Sequence, residues 1–390
     1  MLNPITKKIT FKLWQAIPFR IRPYLVIFPL RMLLSRAGRK KPVPSSPVYV
    51  VGFFRLPTGL GNSARLFFKQ LRETGVEVYA IDVTSLARHQ SSPDLEEQEF
   101  LSHELFSRHQ QHGTVVIHVN PPAYMLALWM IKGLLPNKSL IGYWAWELEV
   151  LPPYWRLCAT HADEILVPSS FVAQAVRRVI SLPVRVHPHA VPSPRNLPHA
   201  GKSPGNTFTV LLIFDIHSNF YRKNPLAAVQ AFKSAFRGAM DAVFRIKVSN
   251  AKRGLREWQL LQKEVEGVSN IEILTKDLSN QEVETLYMEA DVYLSLHRSE
   301  GYGLTIHEAM LHGLDVVATG WSGNMDFMEG PLCHCVPYTL VPVSDPQGSY
   351  EMPGARWAEP DIEAAAGMLQ HVKEQWHSKC NACRHGRSVH

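Results

Sequence analysis

After a polar, proline-rich stretch from Lys40 to Pro47, short apolar runs alternate with amphipathic stretches, the pattern of doubly buried strands interleaved with covering helices. In the first half the runs predict strands at Val48 to Phe53, Glu77 to Asp82, Thr114 to Val119 and Ser139 to Trp144, with shorter extended pieces at Glu164 to Pro168 and Val184 to His187. Helices are predicted at Ser63 to Thr74, Leu157 to Ala162 and Ser169 to Val179. A second break, rich in Pro, Gly, Ser and Asn, lies at Pro192 to Thr207. Beyond it, strands at Phe208 to Phe214, Val243 to Val248, Ile271 to Leu274, Val292 to Leu296 and Val316 to Thr319 alternate with helices at Pro225 to Phe236, Glu257 to Val265, Asn280 to Ala290 and Leu304 to His312. Repeated βα alternation predicts a parallel, doubly wound sheet in each half. No short-period repeat accompanies it, which excludes a solenoid.

The chain of 390 residues therefore divides into an arm and linker over 1–47, Rossmann-like domains over 48–200 and 201–356, and a C-terminal helix and tail over 357–390. Two such domains joined by one linker are expected to face a cleft, a preferred place for a ligand. The clean apolar stretches, Ala123 to Ile131 and Tyr24 to Leu30, fall short of the roughly 20 residues a helix needs to cross a bilayer.

Charge changes the picture only once it is divided along the chain. Of the formal +7, the first 41 residues supply ten Lys and Arg with no Asp or Glu, so the remainder carries 7 minus 10, or −3. A slightly acidic body without a basic stripe argues against nucleic acid as partner. The basic arm mixes its cations with Leu13, Trp14, Ile17, Phe19, Ile21, Leu25 and Phe28, an interfacial composition that points to a membrane surface, while Pro18, Pro23 and Pro29 interrupt any long helix. An arm packed on the body, or disordered, is the plainer reading. Arg20, Arg22 and Arg31 break the apolar region that a secretory signal needs, so the arm is expected to be retained. The five cysteines make no secreted-type framework, which favours a reducing, cytoplasmic setting. Cys380 and Cys383, flanked by His377 and His385, are half of a zinc motif whose other half is missing, and no metal is expected.

Candidate chemistry gathers between strands and helices. Ser299-Glu300-Gly301-Tyr302-Gly303-Leu304 leads from one strand into a helix that carries Glu308. Its glycines permit close backbone approach, and the free N–H groups of a helix start favour an anion at Tyr302 to Leu304. Eight residues of helix would part the two carboxylates by about 12 Å. That is too far for a glycosidase pair, which works at about 5 to 9.5 Å. Acids flanking a phosphate site can instead each hold the hydroxyls of a different sugar. Arg222 and Lys223 lie between another strand and the helix begun by Pro225, where paired cations can neutralise a departing diphosphate without a metal; an exposed basic turn is the alternative. Gly59-Leu60-Gly61-Asn62-Ser63-Ala64-Arg65 makes a glycine loop before a helix, and His118 and Trp146-Glu147 each follow a strand. A lone strand-end His is usually structural, and aromatic clusters are usually core.

Together these residues resemble the retaining GT-B glycosyltransferases of family 4, the group 1 glycosyl transferases, over residues 48 to 330. The resemblance rests on Glu300-x7-Glu308, Arg222-Lys223-Asn224-Pro225 and the glycine loop ending at Ala64-Arg65. It implies α/β architecture of the GT-B type, and transfer of a hexose, with mannose one candidate, from a nucleoside diphosphate sugar to a hydroxyl with retained configuration. No cofactor or obligatory metal is implied. By the same resemblance Arg222 and Lys223 meet the diphosphate, and Glu300, Gly301, Tyr302, Gly303 and Leu304 the transferred sugar and phosphate. Glu308 meets the ribose, His118 the sugar, and Gly61 the donor phosphate, while Asn62, Trp146 and Glu147 lie on the acceptor side. The arm favours a lipid-linked or cell-envelope glycan acceptor at the inner face of the cytoplasmic membrane. The Cys380 to His390 tail departs from the long C-terminal helix usual in the family. A GT-B sugar epimerase, a nicotinamide dehydrogenase using the Gly61 loop, and a non-catalytic binding protein are the competing readings.

Overall fold

The computed structural model describes residues 21–34, 43–87, 100–194 and 207–385, with side chains through residue 378. They form two units, one of residues up to Ala145 with Leu151–Pro168 and Ala173–Ala190, the other of Trp146–Val150, Ser169–Val172 and the residues from Val191 onward.

The first unit is built on six parallel strands, β1 (Val48–Gly52), β2 (Val78–Asp82), β3 (Gly113–His118), β4 (Lys138–Tyr143), β5 (Glu164–Val167) and β6 (Val184–Val186), in the order β2-β1-β3-β4-β5-β6. Every residue of β3 and β4 is buried, and each strand has an apolar centre flanked by buried polar residues. The order reverses between β1 and β3, whose last residues, Gly52 and His118, lie side by side. An α/β sheet presents ligands with a crevice at such a reversal. Helix α2 (Gly59–Glu73) begins one turn before the predicted start, because Thr58 caps it, its hydroxyl accepting from the Gly61 amide at 3.2 Å. The glycines expected to form a loop are therefore the first turn of the helix. Phe67, Phe68 and Ala64 on its inner face pack on Val50, Val116 and Ile141 of the sheet.

Two further helices depart from expectation. Ala123–Met130 forms α3, unannounced by any helical period because its positions are apolar nearly all round; it also carries contacts with α1 (Arg22–Leu33). Pro23 sits in the first turn of α1, where a missing N–H costs nothing, and Pro29, expected to interrupt a helix, lies within it. Ile27 is fully buried and Tyr24 meets Tyr154 edge-on at 6.1 Å, next to α4 (Trp155–Ala159). This part of the arm packs on the body. Its other residues, 1–20 and 35–41, lie outside the described residues. Between β5 and β6 runs α5 (Ser170–Arg177).

The second unit repeats the plan with β7 (Phe208–Asp215), β8 (Ala242–Ser249), β9 (Ile271–Leu274), β10 (Val292–Ser295), β11 (Asp315–Thr319) and β12 (Cys333–Val336), in the order β12-β11-β10-β7-β8-β9. Here the reversal lies between β7 and β10. The connecting helices are α6 (Phe220–Lys223), α7 (Pro225–Phe236), α8 (Arg256–Val265), α9 (Asn280–Glu289) and α10 (Leu304–Leu311). An antiparallel pair, β13 (Tyr338–Pro342) and β14 (Arg356–Pro360), precedes α11 (Ile362–His385). One face of the sheet buries Phe208, Phe232 and Phe244 beneath α7 and α11, each worth about 1.5–3 kcal/mol. Ala365, Leu369 and Val372 of α11 join that core. The tail thus continues the long helix past Cys380 and Cys383, contrary to the expected departure, and Trp357 belongs to β14. Among the described residues no helix is long and apolar enough to cross a membrane, and no group of His, Cys, Asp and Glu is arranged to hold a metal ion.

Candidate active site

In the second unit, the chain leaving β7 turns through Asn219, whose backbone adopts φ +74°. The Asn219 side chain fixes that turn, accepting from the Arg222 amide at 2.9 Å and donating to Asp345 at 2.8 Å. The short helix α6 then delivers Arg222 and Lys223 to the carboxyl edge of β7, and Asn224, at φ +51°, ends it before Pro225 opens α7. From the neighbouring β10, the segment after Ser295 brings Glu300 to the same edge.

Glu300 lies between the two cations. Its Oε1 accepts from Lys223 Nζ at 2.5 Å and its Oε2 from Arg222 Nη1 at 2.9 Å. Arg222 also donates to the Ser299 carbonyl at 2.7 Å and the Ser218 carbonyl at 2.8 Å, while its Nε has no partner among the described residues. At 3% exposure Arg222 is no solvated basic turn. Burial raises the Glu300 carboxyl, but Arg222 and then Lys223 outweigh it and hold the group at about 2. Burial in turn lowers the Arg222 guanidinium, and the Glu300 charge more than restores it. Glu300 thus sits between two cations, of which Lys223 is the more exposed, and Glu147 adds a further negative charge acting on Arg222.

The segment Gly301 to Leu304 is pressed against backbone. A Cβ on Gly301 would lie 3.0 Å from the Trp146 carbonyl oxygen, and one on Gly323 only 2.3 Å from that of Gly301. Gly303, at φ +94°, turns the chain into α10, whose first-turn N–H groups lack helical acceptors. Tyr302 is buried and its hydroxyl pairs with His307 Nδ1 at 2.8 Å. On α10, Glu308 accepts from the Tyr287 hydroxyl at 2.9 Å. With no cation among the described residues to offset it, burial pushes the Glu308 carboxyl up to about 7, the Tyr287 bond acting in the opposite direction. The two glutamates thus occupy opposed electrostatic settings.

Several supports carry no sequence signature of their own. Ser322 Oγ accepts from the Glu300 amide at 2.8 Å and the Gly323 amide donates to the Glu300 carbonyl at 2.9 Å, so the turn after β11 braces the acid. His297, fully buried, pairs with Asn324 Oδ1 at 3.1 Å. Asp345 accepts from the amides of Gln347, Ser349 and Tyr350, and Tyr350 donates to Glu147 Oε2 at 2.9 Å. Trp146 packs on Tyr350 at 5.3 Å, and the Ser299 hydroxyl donates to the Glu147 carbonyl. Trp146 and Glu147 therefore lie in the second unit, beside Gly301, although the chain reaches them directly from β4. Only the Trp-Ser-Gly-Asn turn at 321–324, with a glycine after a strand, offered a hint.

In the first unit, His118 ends β3 at the reversal, fully buried. Its Nδ1 shares a 2.9 Å hydrogen bond with Ser63 Oγ, the ring stacks on Tyr143 at 4.2 Å, and Nε2 has no partner among the described residues. Burial, followed by His189 and His187, keeps the imidazole well below its usual pKa and hence neutral. Gly61 is required by packing, since a Cβ there would lie 2.3 Å from the Leu56 carbonyl oxygen. Asn62 sits beside it in the first turn of α2, half-buried.

Residues 210–351, most of the second unit's sheet together with Arg222, Lys223, Glu300 and Glu308, match the family model described as glycosyl transferases group 1. No curated protein matches the sequence significantly. Among solved structures, a glycosyltransferase from Rickettsia africae ESF-5 superposes with a TM-score of 0.56 at 17% identity, over 87% of this chain and 91% of that one. Anabaena Alr3699/HepE, solved with UDP and glucose, gives 0.53 at 12%, over 84% and 89%. The chain covers 70% of itself but only about half, 53%, of the pneumococcal O-GlcNAc transferase GtfA, solved with UDP and GlcNAc, at 15% identity and a TM-score of 0.49. The fold is the GT-B type of α/β protein, with two Rossmann-like, doubly wound sheets.

Proposed function

We propose that the protein is a retaining glycosyltransferase that moves a hexose from a nucleoside diphosphate sugar to a hydroxyl. The observation that carries this reading is the buried Arg222–Glu300–Lys223 cluster at the strand-order reversal of the second unit. A diphosphate leaving group needs a fixed positive charge that forms no bond to it, and a preorganised cation pair supplies one without reorganisation. The Glycosyl transferases group 1 match over this segment supports the assignment. In the reaction, the bond from the anomeric carbon to the diphosphate oxygen breaks as the acceptor oxygen bonds the same face of that carbon. The acceptor's proton passes to the departing diphosphate oxygen, so no separate nucleophile is needed.

Arg222 and Lys223 bind the diphosphate, the amides from Gly301 to Leu304 bind phosphate and transferred sugar, and Glu300 both orients the cations and accepts from a sugar hydroxyl. Glu308 accepts from the ribose. To these the reading adds His118 for the transferred sugar, Gly61 for the donor phosphate, and Asn62, Trp146 and Glu147 on the acceptor side, with no metal or other cofactor required. The cation-rich first 41 residues support a lipid-linked or cell-envelope glycan acceptor, met by a protein held peripherally at the inner face of the cytoplasmic membrane.

A thermal-shift panel of nucleotides and nucleotide sugars, followed by donor-turnover assays with and without glycan acceptors, tests the reading. A nucleoside diphosphate is expected to raise the melting temperature, and Lys223→Met to abolish at least nine-tenths of that rise at matched concentration. Stabilisation by NAD alone, or acceptor-free epimerisation of the donor, would overturn it.

A further inference from the structure

A helix lying on a protein surface ordinarily turns a polar face outward. Helix α1 does not. Pro23 and Ile27 are buried on the first unit, against α3 and α4. Two positions away on the helix, about 200° around its axis, Ile21, Leu25, Phe28 and Met32 recur at the spacing of one face and are 49%, 48%, 53% and 82% exposed. Both faces of α1 are apolar, yet only one of them is covered by the described residues. Tyr24, stacked on Phe28 at 6.0 Å, steadies the exposed ring. A helix of 12 residues reaches about 18 Å, too short to span a bilayer but suited to lying along one.

The charge of the flanking sequence selects the occupant of this face. Within the first 41 residues there are ten Lys and Arg and no acid. A second copy seated on the same face would bring two such segments together without a compensating carboxylate, an arrangement that repels. An anionic lipid surface offers the opposite: phosphate for the cations, at about 1 kcal/mol for each near the surface, and an acyl boundary for the apolar row. We infer that the outward row Ile21, Leu25, Phe28 and Met32 is a membrane-docking face that enters the headgroup boundary of an anionic bilayer and holds the first unit, through α3 and α4, in a fixed attitude to it. The inference deepens the peripheral-membrane part of the proposed function and does not depend on the transferase chemistry.

Vesicle sedimentation of the full chain tests it, with phosphatidylcholine alone and with phosphatidylcholine and phosphatidylglycerol at three to one. The parent is expected to sediment with the mixed vesicles and not with the neutral ones. Leu25→Gln/Phe28→Gln/Met32→Gln, which removes three exposed apolar side chains without changing the net charge and leaves the buried face intact, should bind at least tenfold more weakly at an unchanged melting temperature. A Phe28→Trp variant checks insertion without disrupting the face, since brominated lipid should quench the added indole. If the triple variant sediments as the parent does while Lys7→Gln/Lys8→Gln/Lys12→Gln does not, the arm binds by charge alone and the docking face is refuted, the peripheral reading surviving. If the parent ignores mixed vesicles, both fail. A parent dimer that the triple variant dissociates, or an indole in the Phe28→Trp variant that brominated lipid leaves unquenched, also overturns it.

Discussion

Beside Tyr287, with no cation among the described residues to offset its desolvation, the Glu308 carboxyl rises to about 7, whereas Glu300, enclosed by Arg222 and Lys223, is held at about 2. The same residue type thus contributes to stability with opposite signs. A depressed carboxyl such as Glu300 stabilises the fold above its unfolded value of 4.5, and that contribution disappears as pH falls towards 2. A raised one such as Glu308 is neutral to stability below 4.5 and costs progressively more as pH rises to 7, reaching at most about 3 kcal/mol above it. Glu308→Gln is therefore expected to leave the urea midpoint unchanged near pH 4.5 and to raise it at pH 8, while weakening nucleoside diphosphate binding at pH 8 about tenfold or more through the loss of a charged acceptor. A midpoint that falls at pH 8 would show that the carboxylate is stabilised where it sits.

At the scale of elements, the first turn of α2 separates two kinds of glycine. Gly59 has open space where a Cβ would stand, and Gly61 has the Leu56 and Phe53 carbonyl oxygens at 2.3 and 2.7 Å. Gly59→Ala is expected to be neutral or stabilising by up to about 1 kcal/mol. Gly61→Ala should destabilise by about 2 kcal/mol or more, since backbone must yield; equal effects in chemical denaturation would contradict this packing. Such close approaches are also where sequence reading stops. Strands β1 to β11 were legible because their buried positions read as short apolar runs, and Pro225 marked the start of α7; β12 to β14 were not foreseen, because exposed and half-buried positions interrupt each of them. Arg222, Lys223 and Glu300 were legible because charge stood at strand ends. Helix α3 was not, because a segment apolar on nearly every side has no period to detect. Ser322, Asn324 and Asp345 were not, because each acts through main-chain groups distant in sequence.

For the whole molecule, two separate cores, one around Val116 and Phe67 and the other around Phe208 and Phe232, argue against a single all-or-none transition. Calorimetry is expected to resolve two components, of which a nucleoside diphosphate raises the one belonging to the second unit, by about 2.7 kcal/mol at a hundredfold excess over its dissociation constant. A ligand that moves only the other component would place the nucleotide in the wrong half.

The route of the chain sets a condition on how this protein can be taken apart. Glu147, Ser169 and Ser170 come from the early part of the sequence, yet they bond Tyr350, Gly301 and Asp326 in the later unit. A gene fragment opening at Phe208 would encode every strand of that half-molecule while omitting the partners that brace its glycine turn. Excision at the proline-rich stretch therefore yields an incomplete lobe. On the ribosome, too, these early residues must wait for the last third of the polypeptide to emerge before they find their bonds.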